Sequence, residues 1–330
     1  MTATPLAWHG VNRAWGPDAL PSSYLPALEA ARPRRAFIPG PIEDLTGMQP
    51  GIITIGDSMA GRIEPDRLTA LAETPVAPLL QNATGTAYWY LAFKNWVVAS
   101  DAKPRWVVIF FRDTNLTDPM FRLGGPYRNG LDEVAGDSEP ELNRIVALHT
   151  SGPWFRVHQA VDRASGAGRA RDWLPSALSA WSARVVVGSV GRARLQEQVN
   201  AAFGLDRLRP IAQADIASAD DAATDFAANV DRSLLPAFLD LARAHHLNLC
   251  FVRVMRRPDE WGQAPRQSRA LRLYMAALRT YIEARGGALL DDNDDADLAR
   301  IPYGDGDHIE RDARVAYTDR FWPRLSRLGR

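Results

Sequence analysis

Three short apolar runs constrain the fold more than any other feature of this chain. They are "IITIG" (52–56), "WVVIFF" (106–111) and "LCFVRV" (249–254). Each is continuous rather than alternating and rich in β-branched or aromatic residues, the pattern of a strand buried on both faces. Between them lie stretches whose apolar residues recur at helical spacing. "GIITIGDS" reads as a strand ending at Gly56, "EPDRLTALAE" as a helix and "VAPLLQNATG" as a strand and turn. "TAYWYLAFKNWVVAS" then reads as a helix and "PRWVVIFFRDTN" as the clearest strand. Alternating strand and helix implies right-handed crossovers and a parallel sheet, so the fold class is α/β.

The alternation pauses over residues 119–230, where helical pieces such as "SEPELNRIVALHT" and "GRARLQEQVNAAF" occur without a strong strand run. That is too long for an ordinary connection, so it is read as an inserted cap. Alternation resumes with "RSLLPAFLDLARAHHL" (helix), "NLCFVRVM" (strand), "SRALRLYMAALRTYIEARG" (helix) and "GALLDD" (strand). "ERDARVAYTDRFWPRLSRL" forms a last helix. Residues 1–50, rich in Pro, Gly and Trp, are expected to form an irregular arm on the core, with one short helix near residues 25–31. Residues 51–330 are then expected to form one domain carrying the cap at about 119–230.

Lys plus Arg equals Asp plus Glu at 39 each, so the net charge is zero. This argues against a nucleic-acid partner, which selects a basic surface. Cys250 is the sole cysteine and sits in a strand-like run, the setting of a packed thiol. No run approaches the roughly 18 apolar residues of a membrane span, and no signal peptide is visible. The chain as written is expected to be cytoplasmic, with an extracytoplasmic location as the alternative if an anchor was removed.

In parallel α/β sheets, ligands bind outside the carboxyl ends of the strands. Ser58, in "GDSMAGR", stands at such an end. It reads either as a helix N-cap or as a nucleophile. "YGDGDHIE", just before the last helix, places Asp305 three residues ahead of His308. A serine hydroxyl needs a base within hydrogen-bond reach, and that base needs a third group to set its tautomer. Ser58, His308 and Asp305 can supply these roles, with Asp305 preferred over Asp307. The developing oxyanion needs donors, for which the Ser58 N–H, the Gly85 N–H in "QNATGTAYW" and the Asn115 amide in "FFRDTNLTD" are candidates.

Gly56-Asp57-Ser58, Gly85, Asn115 and Asp305-Gly-Asp-His308 together resemble the four-block pattern of the SGNH, or GDSL, hydrolases. The resemblance covers about residues 51–118 and 230–325. It implies a three-layer α/β/α, flavodoxin-like fold and an enzyme acting on acyl esters, with Ser58 as nucleophile, His308 as base, Asp305 as orienter, and Gly85 and Asn115 as oxyanion donors. The third block departs from the usual Gly-x-Asn-Asp: Arg112-Asp113-Thr114 precedes the asparagine, so either Asn115 or Arg112 fills that role. The Gly-x-Ser-x-Gly of α/β-hydrolases is absent, position 60 being Ala.

Asp57, Arg112, Arg253 and Arg256 are the candidates for substrate contact, since arginine suits an anionic or sugar ligand. A solvated or structural role is the default for these arginines and for Arg122, which lies in the same stretches, with ligand contact as the alternative. "DDNDDAD" (291–297) mimics the start of a calcium loop but has Ala296 and Pro302 where Gly and Glu belong, so a solvated acidic turn is expected. His245 and His246 fall near a helix end and are not read as ligands. No metal site or cofactor is expected.

The resulting expectation is an esterase or O-acetyltransferase acting on a small acyl group, acetyl above all, carried on a saccharide or glycan. Within the family, the long insertion and "FFRDTNLTDPMFR" resemble proteins associated with bacterial polysaccharide O-acetylation. The second reading is a catalytically silent fold that binds glycan or a membrane acyltransferase partner.

Overall fold

The computed structural model describes residues 24–28, 34–124, 127–152, 223–259, 261–304 and 306–328. Its centre is a five-stranded sheet of β1 (Ile52–Gly56), β2 (Val76–Leu80), β3 (Trp106–Phe111), β4 (Leu249–Arg253) and β5 (Ala288–Asp291). Every neighbouring pair is parallel and the order is β2-β1-β3-β4-β5. This is the flavodoxin-like order, in which the winding reverses between β1 and β3.

Alternate residues of each strand face opposite sides, which splits the core in two. On one side, Ile53, Ile55, Val107, Ile109, Phe111, Phe251 and Leu289 pack against α1 (Gly40–Met48), α3 (Thr86–Ala92), α4 (Arg128–Val134), α5 (Pro140–Thr150), α7 (Leu235–Ala244) and α8 (Arg269–Glu283). On the other, Ile52, Val108, Phe110, Cys250 and Val252 pack against α2 (Pro65–Ala72) and α9 (Arg314–Arg327). The result is a three-layer α/β/α fold. Both sheet faces are covered, so strands β1, β3 and β4 are buried at every position.

The helices follow their apolar spacing. In α8 the buried residues are Tyr274, Met275, Leu278 and Ile282, one stripe of an otherwise polar helix, and Ser268 caps it by accepting from Leu271 N at 3.0 Å. Helix α3 has no polar face to show: all seven residues are buried, and the chain continues through a π-helical turn, Phe93–Val98.

Two findings differ from the sequence reading. Residues 40–48, expected within an irregular arm, form α1. That helix buries only Leu45, too sparse a pattern to read from sequence, and is held by tertiary bonds such as Thr46 Oγ1 to Ser100 O at 3.1 Å. Helices α4 and α5, expected within a cap, place Leu131, Val134, Leu142, Ile145 and Val146 in the same apolar cluster as the sheet. The short helix α6 (Phe226–Val230) joins them through Phe226. The "GRARLQEQVNAAF" helix lies outside the described residues, as does most of the expected cap. Among the described residues, no helix is long and apolar enough to cross a membrane.

Candidate active site

The site is built at the carboxyl end of β1, where the sheet reverses its winding. A tight 3₁₀ turn, Ser58–Arg62, follows the strand directly. Its cap is Asp57, whose carboxylate accepts from Met59 N at 2.9 Å. Ser58 therefore does not serve as the cap, and its hydroxyl faces His308: Oγ to Nε2 is 2.7 Å between residues 250 positions apart. Both side chains are half-buried.

His308 sits on a small hairpin. Tyr303 pairs with Ile309 in an antiparallel bridge, and Gly304 N donates to His308 O at 2.9 Å. Gly306, at φ +54°, makes the reversal in a backbone region that L side chains rarely occupy. Asp305 lies outside the described residues. Asp307, the neighbour set aside in the sequence reading, fastens the hairpin. Its carboxylate accepts from Arg112 Nη1 at 2.8 Å and from Arg257 N at 3.0 Å, and its carbonyl accepts from Arg62 Nη2 at 3.3 Å. The histidine loop is thus tied to the ends of β3 and β4 and to the serine turn.

Gly85 and Asn115 stand at the ends of the strands flanking β1. The Thr86 hydroxyl donates to the Asn115 carbonyl, joining the two segments. Asn115 N in turn donates to Arg112 O at 2.9 Å, opening a 3₁₀ turn, Asn115–Thr117. Gly85 is required by a close approach: a Cβ there would lie 2.4 Å from the Phe121 carbonyl oxygen.

The candidate substrate contacts fare unequally. Arg112 is half-buried and engaged with Asp307. Asp57 is buried and pairs with Arg122 at 2.9 Å, whose guanidinium also donates to Thr84 O. Arg253, with only 2% of its surface exposed, bonds Asp113, Asp291 and Gln267. Arg256 pairs with the other Asp113 oxygen. Arg253 is thus a strut inside the strand ends, with no surface to offer a ligand. Burial alone would raise the Asp113 carboxyl, but the guanidiniums of Arg256 and Arg253 outweigh it and hold the group below the usual carboxylate range.

The acidic run also differs from its expected solvated turn. Asp292 is fully buried and accepts from Arg62 at 3.2 Å, Arg324 at 2.9 Å and Tyr317 OH at 2.9 Å. Arg62, unremarked in the sequence, links this network to the serine turn through Met59 O at 3.0 Å. Only the sheet topology brings 62, 292 and 324 together, so no local pattern announces them. Among the described residues, no group of three or more His, Cys, Asp or Glu is set to hold a metal ion.

A hollow of about 20 Å³, room for one water-sized group, is lined by Ser58, Met59, Gly61, Arg62, His308, Ile309 and Arg314. Arg314 is a further residue that the sequence reading did not single out.

No protein-family model matches this sequence, and no curated protein matches it. Among solved structures, the chain is similar to a "putative acylhydrolase" from Bacteroides fragilis NCTC 9343 at 10% identity and a TM-score of 0.36, covering 84% of this chain and 88% of that one.

Proposed function

We propose that this protein is an SGNH-type serine enzyme that cleaves or transfers a short acyl group. The observation that carries the reading is the 2.7 Å contact between Ser58 Oγ and His308 Nε2 at the winding reversal of a flavodoxin-like sheet. A hydroxyl so placed can pass its proton to the imidazole as it attacks an ester carbonyl. The negative charge that develops on the carbonyl oxygen falls to the N–H groups of Ser58 and Gly85 and the amide of Asn115. His308 then returns the proton to the leaving alkoxide, and the acyl group remains on Ser58 until water or a sugar hydroxyl takes it. Asp305 is assigned to orient the imidazole.

Acetyl on a saccharide or glycan is the substrate proposed, in line with the resemblance to polysaccharide O-acetylation proteins. Release of acetate from an aryl acetate tests the reading. Ser58→Ala and His308→Ala should each lose about a thousandfold or more in kcat. A fluorophosphonate probe should label the wild type and not Ser58→Ala. A folded wild type that neither turns over the ester nor takes the label would leave the silent, glycan-binding reading.

A further inference from the structure

The hollow next to Ser58 and His308 has an arginine on its wall that no carboxylate among the described residues pairs with. Arg314, the first residue of α9, lines the hollow and makes no ion pair among the described residues. Its Nε is buried and has no hydrogen-bond partner among the described residues. A buried guanidinium N–H without an acceptor is costly, and such groups in native proteins call for a partner.

The neighbouring charges do not supply one. Asp292 is already shared between Arg62 and Arg324, and Asp307 is held by Arg112 and Arg257 N. Among the described residues, Arg62, Arg324 and Arg112 are thus each matched to a carboxylate, and Arg314 is not. The other arginines here each have a built partner, which sets Arg314 apart.

We infer that Arg314 recognises an anionic group, a carboxylate, sulfate or phosphate, carried by the substrate close to its scissile ester. This deepens the ester-enzyme reading and rests on it for the word substrate. The planar fork of arginine offers paired N–H donors that match the oxygens of such a group. The substrate class is then an ester on an acidic saccharide or another acidic alcohol, or an ester whose acyl part itself ends in an acid.

Three uncleaved anilide analogues separate these cases by titration calorimetry on the wild type and on Arg314→Gln. They are acetanilide, 3-acetamidobenzoate with its acid on the alcohol-like side, and succinanilate with its acid on the acyl side. The wild type should bind at least one of the two acids about tenfold or more tightly than acetanilide, the scale of a charge-assisted hydrogen bond. In Arg314→Gln that preference should fall to near parity, and Arg314→Lys should keep only part of it. Whichever acid binds better names the side that carries the charge. Equal binding of all three by the wild type would overturn the inference, as would a preference that survives in a folded Arg314→Gln. Because the analogues are not turned over, discrimination without esterase activity would sink the catalytic reading alone. Turnover without discrimination would sink this inference alone.

Discussion

Arg62→Met tests the reasoning about the buried network most directly. Arg62 is 2% exposed and Asp292 fully buried, so the pair is shielded from water. Breaking a buried pair by removing one partner costs about 3–5 kcal/mol, because the remaining charge is stranded. Here Asp292 keeps Arg324 and the Tyr317 hydroxyl, each at 2.9 Å, so the lower end, about 3 kcal/mol, is expected. Methionine fills similar apolar volume, which limits the cavity contribution. In urea, with a slope of about 3 kcal/mol per molar, the midpoint should fall by about 1 M. The double variant Arg62→Met/Asp292→Asn should be less unstable than the sum of the singles by about 1 kcal/mol or more, as expected for residues in contact. A loss under about 1 kcal/mol, or strict additivity, would put the pair on the footing of a surface ion pair and refute the argument. Arg62 also holds the Asp307 carbonyl, so the variant should lose esterase turnover even at temperatures where it is fully folded.

Two further substitutions probe the strand ends. Gly85→Ala should cost about 1–3 kcal/mol in urea unfolding, since the new methyl meets the Phe121 backbone rather than a side chain that can swing away. A neutral effect would mean that the 120s loop yields freely. Asp113→Asn should destabilise the protein by about 3 kcal/mol at pH 7 by stripping Arg253 and Arg256 of a shared partner. The folded carboxyl titrates below its unfolded value of about 3.9, so this stabilisation is complete above that value and is lost as pH falls through the folded one. The gap between wild type and variant should therefore be full at neutral pH and narrow as the pH is taken below about 4. A gap that is constant from neutral to acid pH would contradict the assignment.

Much of the architecture is written locally. A strand covered on both faces needs an unbroken apolar run, and β1, β3 and β4 supply one. Helices α7, α8 and α9 bury one stripe each, and their spacing reads directly from residues such as Tyr274, Leu278 and Ile282. Ser58 and His308 stood out as a candidate pair because one follows a strand end in Gly-Asp-Ser and the other precedes the last helix in Asp-x-x-His. Helix α1 was not legible: it buries a single leucine, and its stability comes from what packs on it.

The sequence by itself determined the five strands and most of the helices that cover them, and hence an α/β class with its strand ends as the place to look for chemistry, because backbone geometry and side-chain period are local properties. Only the tertiary structure decided the sheet order, the 2.7 Å meeting of Ser58 with His308, and the assignment of arginines such as Arg253 and Arg112 as strut or clamp. Partners 195, 230 and 245 positions apart leave no periodic trace in the chain; a buried charge is specified by what surrounds it in space, and that exists only after the sheet has closed.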